Sequence, residues 1–273
     1  MIGIRIQKVL ADAGISSRRQ AEEMILQGRV EVNGHLVTAL PCFVDPQADR
    51  ICVDGQPIRM PSGPKQAYLL NKPKGVLAGL AGQKGPGPHV LDLAPPIRPP
   101  VYVVGALDAD STGLVVLTND GELADRLNHP RYRQERTYVA EVDARVDEAT
   151  IEALRSPMWL DDRRVEGARL VKVLRRGGDG TLLEIHIVEA MSRQVQRMLA
   201  KVRHKVRRLR RVGLGPLREK GLKIGHFRPL SPTEIARIKQ AAQGGGQGGG
   251  QAADGAPGKR LGRARSSRRR RPG

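Results

Sequence analysis

Aromatic residues are scarce in this chain: one Trp, four Tyr and two Phe in 273 residues. A single-strand binder built on stacking platforms needs several exposed rings. That class is disfavoured, and at most one or two bases can be engaged closely. Cysteine is nearly absent too. Cys42 and Cys52 have no Cys or His two to four positions away, which argues against a disulfide framework and a zinc site and fits a reducing cytoplasm. The six histidines are scattered, so no metal is expected. No apolar run is long enough to span a bilayer, and Arg5, Lys8 and Asp12 interrupt any secretory-type apolar region at the start. A membrane partner is not expected.

Acid is the other shortage. The net charge is +19, and the last 23 residues hold eight Lys/Arg against one Asp, so the remaining body still carries +12. A globular body that basic points to a polyanion, with nucleic acid first. With few rings available, such a protein reads RNA through backbone and shape.

The first sixty residues read as a unit of their own. Ile6, Val9, Leu10 and Ala13 have helical spacing, and Gly14 ends the run. Ser17 with Gln20 reads as a capping box for a second helix over 18–27, stopped at Gly28. Asn33-Gly34 and Asp54-Gly55 sit between short alternating segments, the pattern of tight hairpins. Arg18, Arg19 and Arg29 flank the second helix, where they could grip phosphates. This helix–helix–hairpin pattern resembles the small RNA-binding domain named for the fourth protein of the small ribosomal subunit. The resemblance covers about residues 4–50, and Ser16 to Arg19 match its RNA-touching position.

The expected organisation is a small RNA-binding domain at 1–60, a Pro/Gly linker at 61–67, a larger domain at 68–243 and a disordered Gly/Gln-rich then Arg-rich tail at 244–273. Within 68–243, strands are expected at 68–72, at 101–108, around Leu114–Leu117, at 136–142 and at 181–188. A flexible glycine-rich loop is expected at 78–89. Helices are expected after Asn119-Asp120-Gly121, at 147–155, from Ser192 to about Arg203, and at 232–242. Strands and helices are mixed and strands are often neighbours, so the fold class is α+β with a mainly antiparallel sheet.

Two stretches carry candidate chemistry. Residues 192–211 hold nine Lys/Arg and no acid. Val195, Met198, Leu199 and Val202 share one helical face and Arg193, Arg197, Lys201 and Arg203 fall elsewhere, so phosphate binding is the better reading of the cations. The other stretch is GALDADSTGLVVLTNDG at 105–121. Its Asp108 and Asp110 are either turn formers ahead of a buried strand or the source of a nucleophile. A magnesium site would need a further acid cluster, which is lacking. No triphosphate-cradling loop and no Gly-x-Ser-x-Gly elbow is present.

GALDADSTGLVVLTNDGELADRLNHP resembles the active-site segment of bacterial ribosomal pseudouridine synthases of the small-subunit type. NKPKG at 71–75, ERTY at 135–138, EAMSRQVQRM at 189–198 and RVGLGPL at 211–217 follow in the family's order, so the resemblance covers roughly 4–240. It implies an isomerase that converts a uridine of ribosomal RNA to pseudouridine with no cofactor and no metal. It implies Asp108 as nucleophile, Tyr138 against the base, and Lys72 and Arg193 near the pocket; Arg197, from the basic face of the helix, is a further RNA-contacting cation. Asp110 then shapes the turn. The partner is ribosomal RNA or a ribosomal subunit precursor, and a monomer is expected. The chain departs from the family where Ala106 and Gln196 replace usual arginines, at Ala190-Met191-Ser192, and at Arg203-His204-Lys205, where Gly-His-Pro is usual. Those departures define the alternative: a relative that binds RNA or assembling ribosomes and modifies nothing.

Overall fold

The computed structural model describes residues 3–16, 18–59, 63–79, 87–94, 96–189 and 191–244. The capping role read for Ser17, part of the linker, residues 80–86 of the glycine-rich loop, the departure at Ala190 and the tail beyond Gly244 lie outside the described residues.

The N-terminal unit runs β1 (Ile4–Arg5), α1 (Ile6–Asp12), α2 (Arg18–Leu26), β2 (Val30–Val32), β3 (His35–Leu36), β4 (Phe43–Val44), β5 (Ile51–Val53) and β6 (Gln56–Pro57). Ile6, Val9 and Leu10 of α1 meet Ala21 and Ile25 of α2 over Val30, Ile51 and Val53. The apolar spacing of the two helices thus becomes one small core. Both hairpins form as expected. Asn33 and Gly34 have φ of +53° and +82°, Asp54 and Gly55 +51° and +74°, the paired positive φ of a type I′ turn. The four strands order as β3-β2-β5-β6.

The second unit contains β7 (Ala67–Lys72), β8 (Tyr102–Val104), β9 (Thr112–Thr118), α3 (Gly121–Asn128), β10 (Arg136–Asp143), α4 (Glu148–Arg155), β11 (Met158–Leu160), β12 (Arg163–Val165), β13 (Leu170–Arg176), β14 (Gly180–Ile187), α5 (Gln194–Lys201), β15 (Val206–Leu214), β16 (Leu217–Arg218), β17 (Phe227–Pro229) and α6 (Pro232–Gly244). Its main sheet runs β13-β14-β10-β15-β9-β7-β17. All of its pairings are antiparallel except β15 with β9. The α+β expectation therefore holds. β7 takes in Ala67, assigned to the linker from sequence, and α6 reaches Gly244.

The continuous apolar run of β9 has a physical reason. Val115 and Leu117 enter a core beneath α4 and α5, with Leu70, Ala140 and Leu183. Leu114 and Val116 enter a second core on the opposite face, with Leu123 and Leu127 of α3 and Ile238 of α6. A strand covered on both faces has no polar side to show. All four residues are fully buried, each worth roughly 1.5–3 kcal/mol.

Helix α5 stops two residues short of the expected Arg203. Arg203 itself is in the left-handed region at φ +64°. Its N–H donates to Ala200 O and that of His204 donates to Leu199 O, the bond pair that closes a helix at a left-handed residue. Glycine, which the resemblance led one to expect there, would adopt that φ without cost. Among the described residues no helix is long and apolar enough to cross a membrane.

Candidate active site

The loop from Gly105 to Ser111 connects β8 to β9 and carries both candidate carboxylates. It is held at both ends by buried cations. Arg211, on β15, is only 1% exposed. Its guanidinium donates to Leu114 O at 2.7 Å, to Gly105 O at 2.5 Å and to Ala106 O at 3.3 Å. Lys72, at the end of β7, is 0% exposed. Its Nζ donates to Pro73 O at 2.9 Å, Val76 O at 2.8 Å and Ala109 O at 3.4 Å, and the Gly75 N–H also donates to Ala109 O at 2.7 Å. The Lys72-Pro73-Lys74-Gly75 turn is therefore fastened to the peptide just after Asp108. A hydrogen bond from Ser111 N to Asp108 O closes the turn at 3.1 Å.

Strand register brings the remaining pieces into line. Lys72 pairs with Gly113, Gly113 with Arg211, and Arg211 with Tyr138. Paired residues on neighbouring strands share a face, so Lys72, Arg211 and Tyr138 form one row across the sheet, interrupted only by Gly113. Gly113 cannot be another residue without a shift of backbone. A Cβ there would lie 2.2 Å from the Arg211 carbonyl oxygen and 2.7 Å from its nitrogen, at φ +113°. Its missing side chain lets β9 and β15 approach and carries the Arg211 guanidinium to the loop.

Within this frame the two carboxylates differ. Asp110 is exposed and pairs with Arg193 at 3.1 Å. The Ser111 hydroxyl reaches its other oxygen at 3.4 Å. Asp108 is half-buried, and among the described residues its carboxylate makes no hydrogen bond or ion pair. Its lone pairs are uncommitted, while a buried ammonium lies close enough to feel its charge. A further buried cation, Arg136, lies one pair along β10 from Tyr138. Among the described residues its guanidinium donates only to the carbonyls of Gln134 and Val188, and it is pushed down by burial. Three buried cations bonded to carbonyls rather than carboxylates give this side of the sheet a positive potential that favours an anionic ligand.

Burial pushes the Lys72 ammonium down to about 8, against the upward pull of Asp110 and Asp108, with Arg211 adding to the fall. An unfolded lysine keeps its proton to its ordinary 10.5. Between those values the unfolded chain binds the extra proton, so this group makes stability rise with pH from about 8 to 10.5. Lys72→Met removes the rise. Urea unfolding of both proteins across that window should show the wild type gaining stability over the variant; a constant difference would place the titration elsewhere.

Gln196 donates to the Ser111 hydroxyl at 3.3 Å, so an uncharged amide stands beside the loop where the resemblance led to the expectation of an arginine. Neither flanking arginine replaces it. Arg193 is taken by Asp110, and Arg197 pairs with Asp161 in the β11–β12 turn at 2.6 Å. Ala106 is exposed and offers no cation. Arg18 and Arg19 lie exposed at the start of α2, in the N-terminal unit. There Arg18 joins Arg5, Lys8, Glu22 and Phe43 around an open concavity of about 450 Å³. The structure thus gathers Lys72, Asp108 and Arg193 around one loop, with Tyr138 in the adjoining row. It leaves Arg197 one turn away and Arg18 and Arg19 on a separate basic surface. Among the described residues no group of three or more His, Cys, Asp or Glu could hold a metal ion. Arg211 carried no assigned role from sequence. Its signal was present in RVGLGPL and in the alternation of Leu209, Arg211 and Gly213, but it read as the end of a basic run.

Residues 4–40 match the S4 domain family and residues 66–201 match the family described as RNA pseudouridylate synthase. An RNA pseudouridine synthase of Aquifex aeolicus is 38% identical over 241 residues, spanning 88% of this chain and 96% of the relative. A Bacillus subtilis protein named ribosomal large subunit pseudouridine synthase B is 36% identical over 242 residues, 88% of this chain and 98% of the relative. A crystal structure of a pseudouridylate synthase superposes with a TM-score of 0.63 at 27% identity, covering 86% of this chain and 99% of that one. The chain belongs to the RNA pseudouridine synthase family, a family of isomerases with an RNA-binding S4 domain here at the N-terminal end. The small-subunit type expected from sequence has no support in these names, since the Bacillus relative and one from Pseudomonas aeruginosa are both named for the large subunit.

Proposed function

We propose that the protein isomerises a uridine of ribosomal RNA to pseudouridine, with Asp108 as the nucleophile. The observation that carries this reading is the state of Asp108: a half-buried carboxylate that meets no donor among the described residues, on a loop pinned at both ends by Arg211 and Lys72. A carboxylate can form and release a covalent adduct. The target nucleotide must first leave its stack, and one ring suffices to hold the extruded base. Tyr138, buried in the row that includes Lys72 and Arg211, is that ring. In the reaction the N1–C1′ bond breaks, the base turns, and a C5–C1′ bond forms. The proton on C5 is lost and N1 gains one, with Tyr138 assisting the transfer. Every atom of the nucleoside is conserved, so the chemistry consumes no cofactor. Arg193 orients the loop through Asp110, while Arg18, Arg19 and Arg197 bind backbone phosphates.

On this reading residues 1–60 deliver the RNA and 68–243 perform the chemistry, in a monomer acting in the cytoplasm. The names of the relatives favour large-subunit RNA as the source of the target. The binding-only alternative is not favoured, because the departures at Ala106 and Gln196 leave the nucleophile and the cations that hold its loop in place.

The test is to incubate the purified protein with transcripts of large-subunit and small-subunit ribosomal RNA and to separate the nucleosides by chromatography. Pseudouridine is expected at one position of the large-subunit transcript. Product in the small-subunit transcript alone would reassign the substrate and keep the activity. Product in neither transcript nor in assembling particles would overturn the reading.

A further inference from the structure

The single tryptophan of the chain is in an unusual place. Trp159 lies on β11 and is 59% exposed, in a protein with few aromatic residues to spend. The β11–β12 hairpin is two-faced. Leu160 and Val165 enter the core beneath the sheet, and Met158 packs against it. Trp159 faces solvent directly across from Arg164, its cross-strand partner, whereas Arg163, exposed too, pairs with Leu160 and so lies on the other face. Among the described residues neither arginine has an ion-pair partner. Two of the hairpin's three acids are already neutralised: Asp161 by Arg197 and Glu166 by Arg133 in a two-pronged bond at 2.9 and 2.6 Å. Asp162 is the third. What is left for a partner on the outer face is one large flat ring and one free guanidinium group.

The hairpin is also tied to the candidate active site. Arg193 holds Asp110 on the nucleophile's loop, and Arg197, one helical turn further along α5, holds Asp161 in the hairpin turn. The Arg197 N–H donates to Arg193 O at 2.9 Å. One turn of helix advances about 5.4 Å, so the two ion pairs set the hairpin close beside the loop.

We infer that the outer face of this hairpin receives the RNA next to the target uridine, with Trp159 stacked on an unpaired base and Arg164 on a flanking phosphate. The inference rests on the synthase reading above and adds a substrate property to it. The nucleotide beside the target must be unpaired to reach the ring, so the preferred substrate is a loop, bulge or single strand rather than a continuous duplex. Base–aromatic stacking tolerates any base, so Trp159 selects structure more than sequence.

Trp159 is its own reporter, because no other tryptophan contributes to the fluorescence. A short single-stranded oligouridine titrated into the full-length protein should quench that emission, and a duplex of the same length should quench it far less. Binding of labelled RNA, followed by anisotropy, should weaken about 5- to 150-fold in Trp159→Ala and recover largely in Trp159→Tyr. In turnover the alanine variant should raise KM and leave kcat in place. If the wild type binds the single strand without quenching and Trp159→Ala binds equally well, the stacking role is wrong while the synthase reading stands. Emission that shifts with protein concentration in the absence of RNA, together with a doubled mass, would make the hairpin a contact between copies and also overturn the inference. A wild type that binds no RNA would sink the parent reading as well.

Discussion

Asp108→Asn abolishes pseudouridine formation, lowering kcat by more than about 10⁴-fold, and leaves RNA affinity unchanged. The substitution keeps shape and volume and removes only the charge and the nucleophilic oxygen. Because the Asp108 carboxylate makes no hydrogen bond or ion pair among the described residues, its loss breaks no contact of the fold. The same change at Asp110 acts differently. It breaks an exposed pair with Arg193, and exposed pairs contribute about 0–1 kcal/mol, so Asp110→Asn lowers turnover modestly. Single-turnover assays on ribosomal RNA transcripts, run beside RNA-binding titrations, separate the two. An Asp108→Asn protein that turned over at the wild-type rate, or one that lost RNA affinity with its activity intact, would remove Asp108 from the role of nucleophile.

Gly113→Ala destabilises the protein by about 3–5 kcal/mol, the combined cost of a non-glycine residue at an unfavourable positive φ and of overpacking. The added Cβ would meet backbone rather than a yielding side chain, at 2.2 Å from Arg211 O. The strand that would have to move also holds the loop of Asp108, so activity falls with stability. Gly178→Ala is the comparison, since a Cβ there meets nothing within 4 Å, and its cost is small. Urea unfolding midpoints of the two variants give the difference directly. Equal midpoints would show that β9 and β15 have slack at their one parallel pairing and that the row from Lys72 to Tyr138 is not held by it.

How much of this was legible in the sequence depended on whether each feature had a local cause. The Asn33-Gly34 and Asp54-Gly55 hairpins were legible because positive φ has a recognisable residue signature. So was β9, because burial on both faces leaves an unbroken apolar run. The end of α5 was not, because Arg203 rather than glycine takes the left-handed position. The β11–β12 hairpin was missed for the same reason: its turn at Asp161 has φ +53° without a glycine. β13 and β15 were hidden by arginines. In β15 the inward residues are Leu209, Arg211 and Gly213, an alternation no hydrophobicity pattern displays. The candidate site divides in the same way. Asp108, Tyr138, Lys72 and Arg193 were readable from motif resemblance. The row of Lys72, Arg211 and Tyr138, the Arg211 clamp and the capture of Arg193 and Arg197 by aspartates are properties of register and packing between segments far apart in the chain.

The most direct test of the central claim is a pseudouridine map of ribosomal RNA from cells lacking this gene, complemented with the wild-type gene or with Asp108→Asn. The account predicts that one site disappears in the deletion, returns with the wild type and stays absent with the variant. A map unchanged by the deletion, or a site restored equally by both genes, would contradict it.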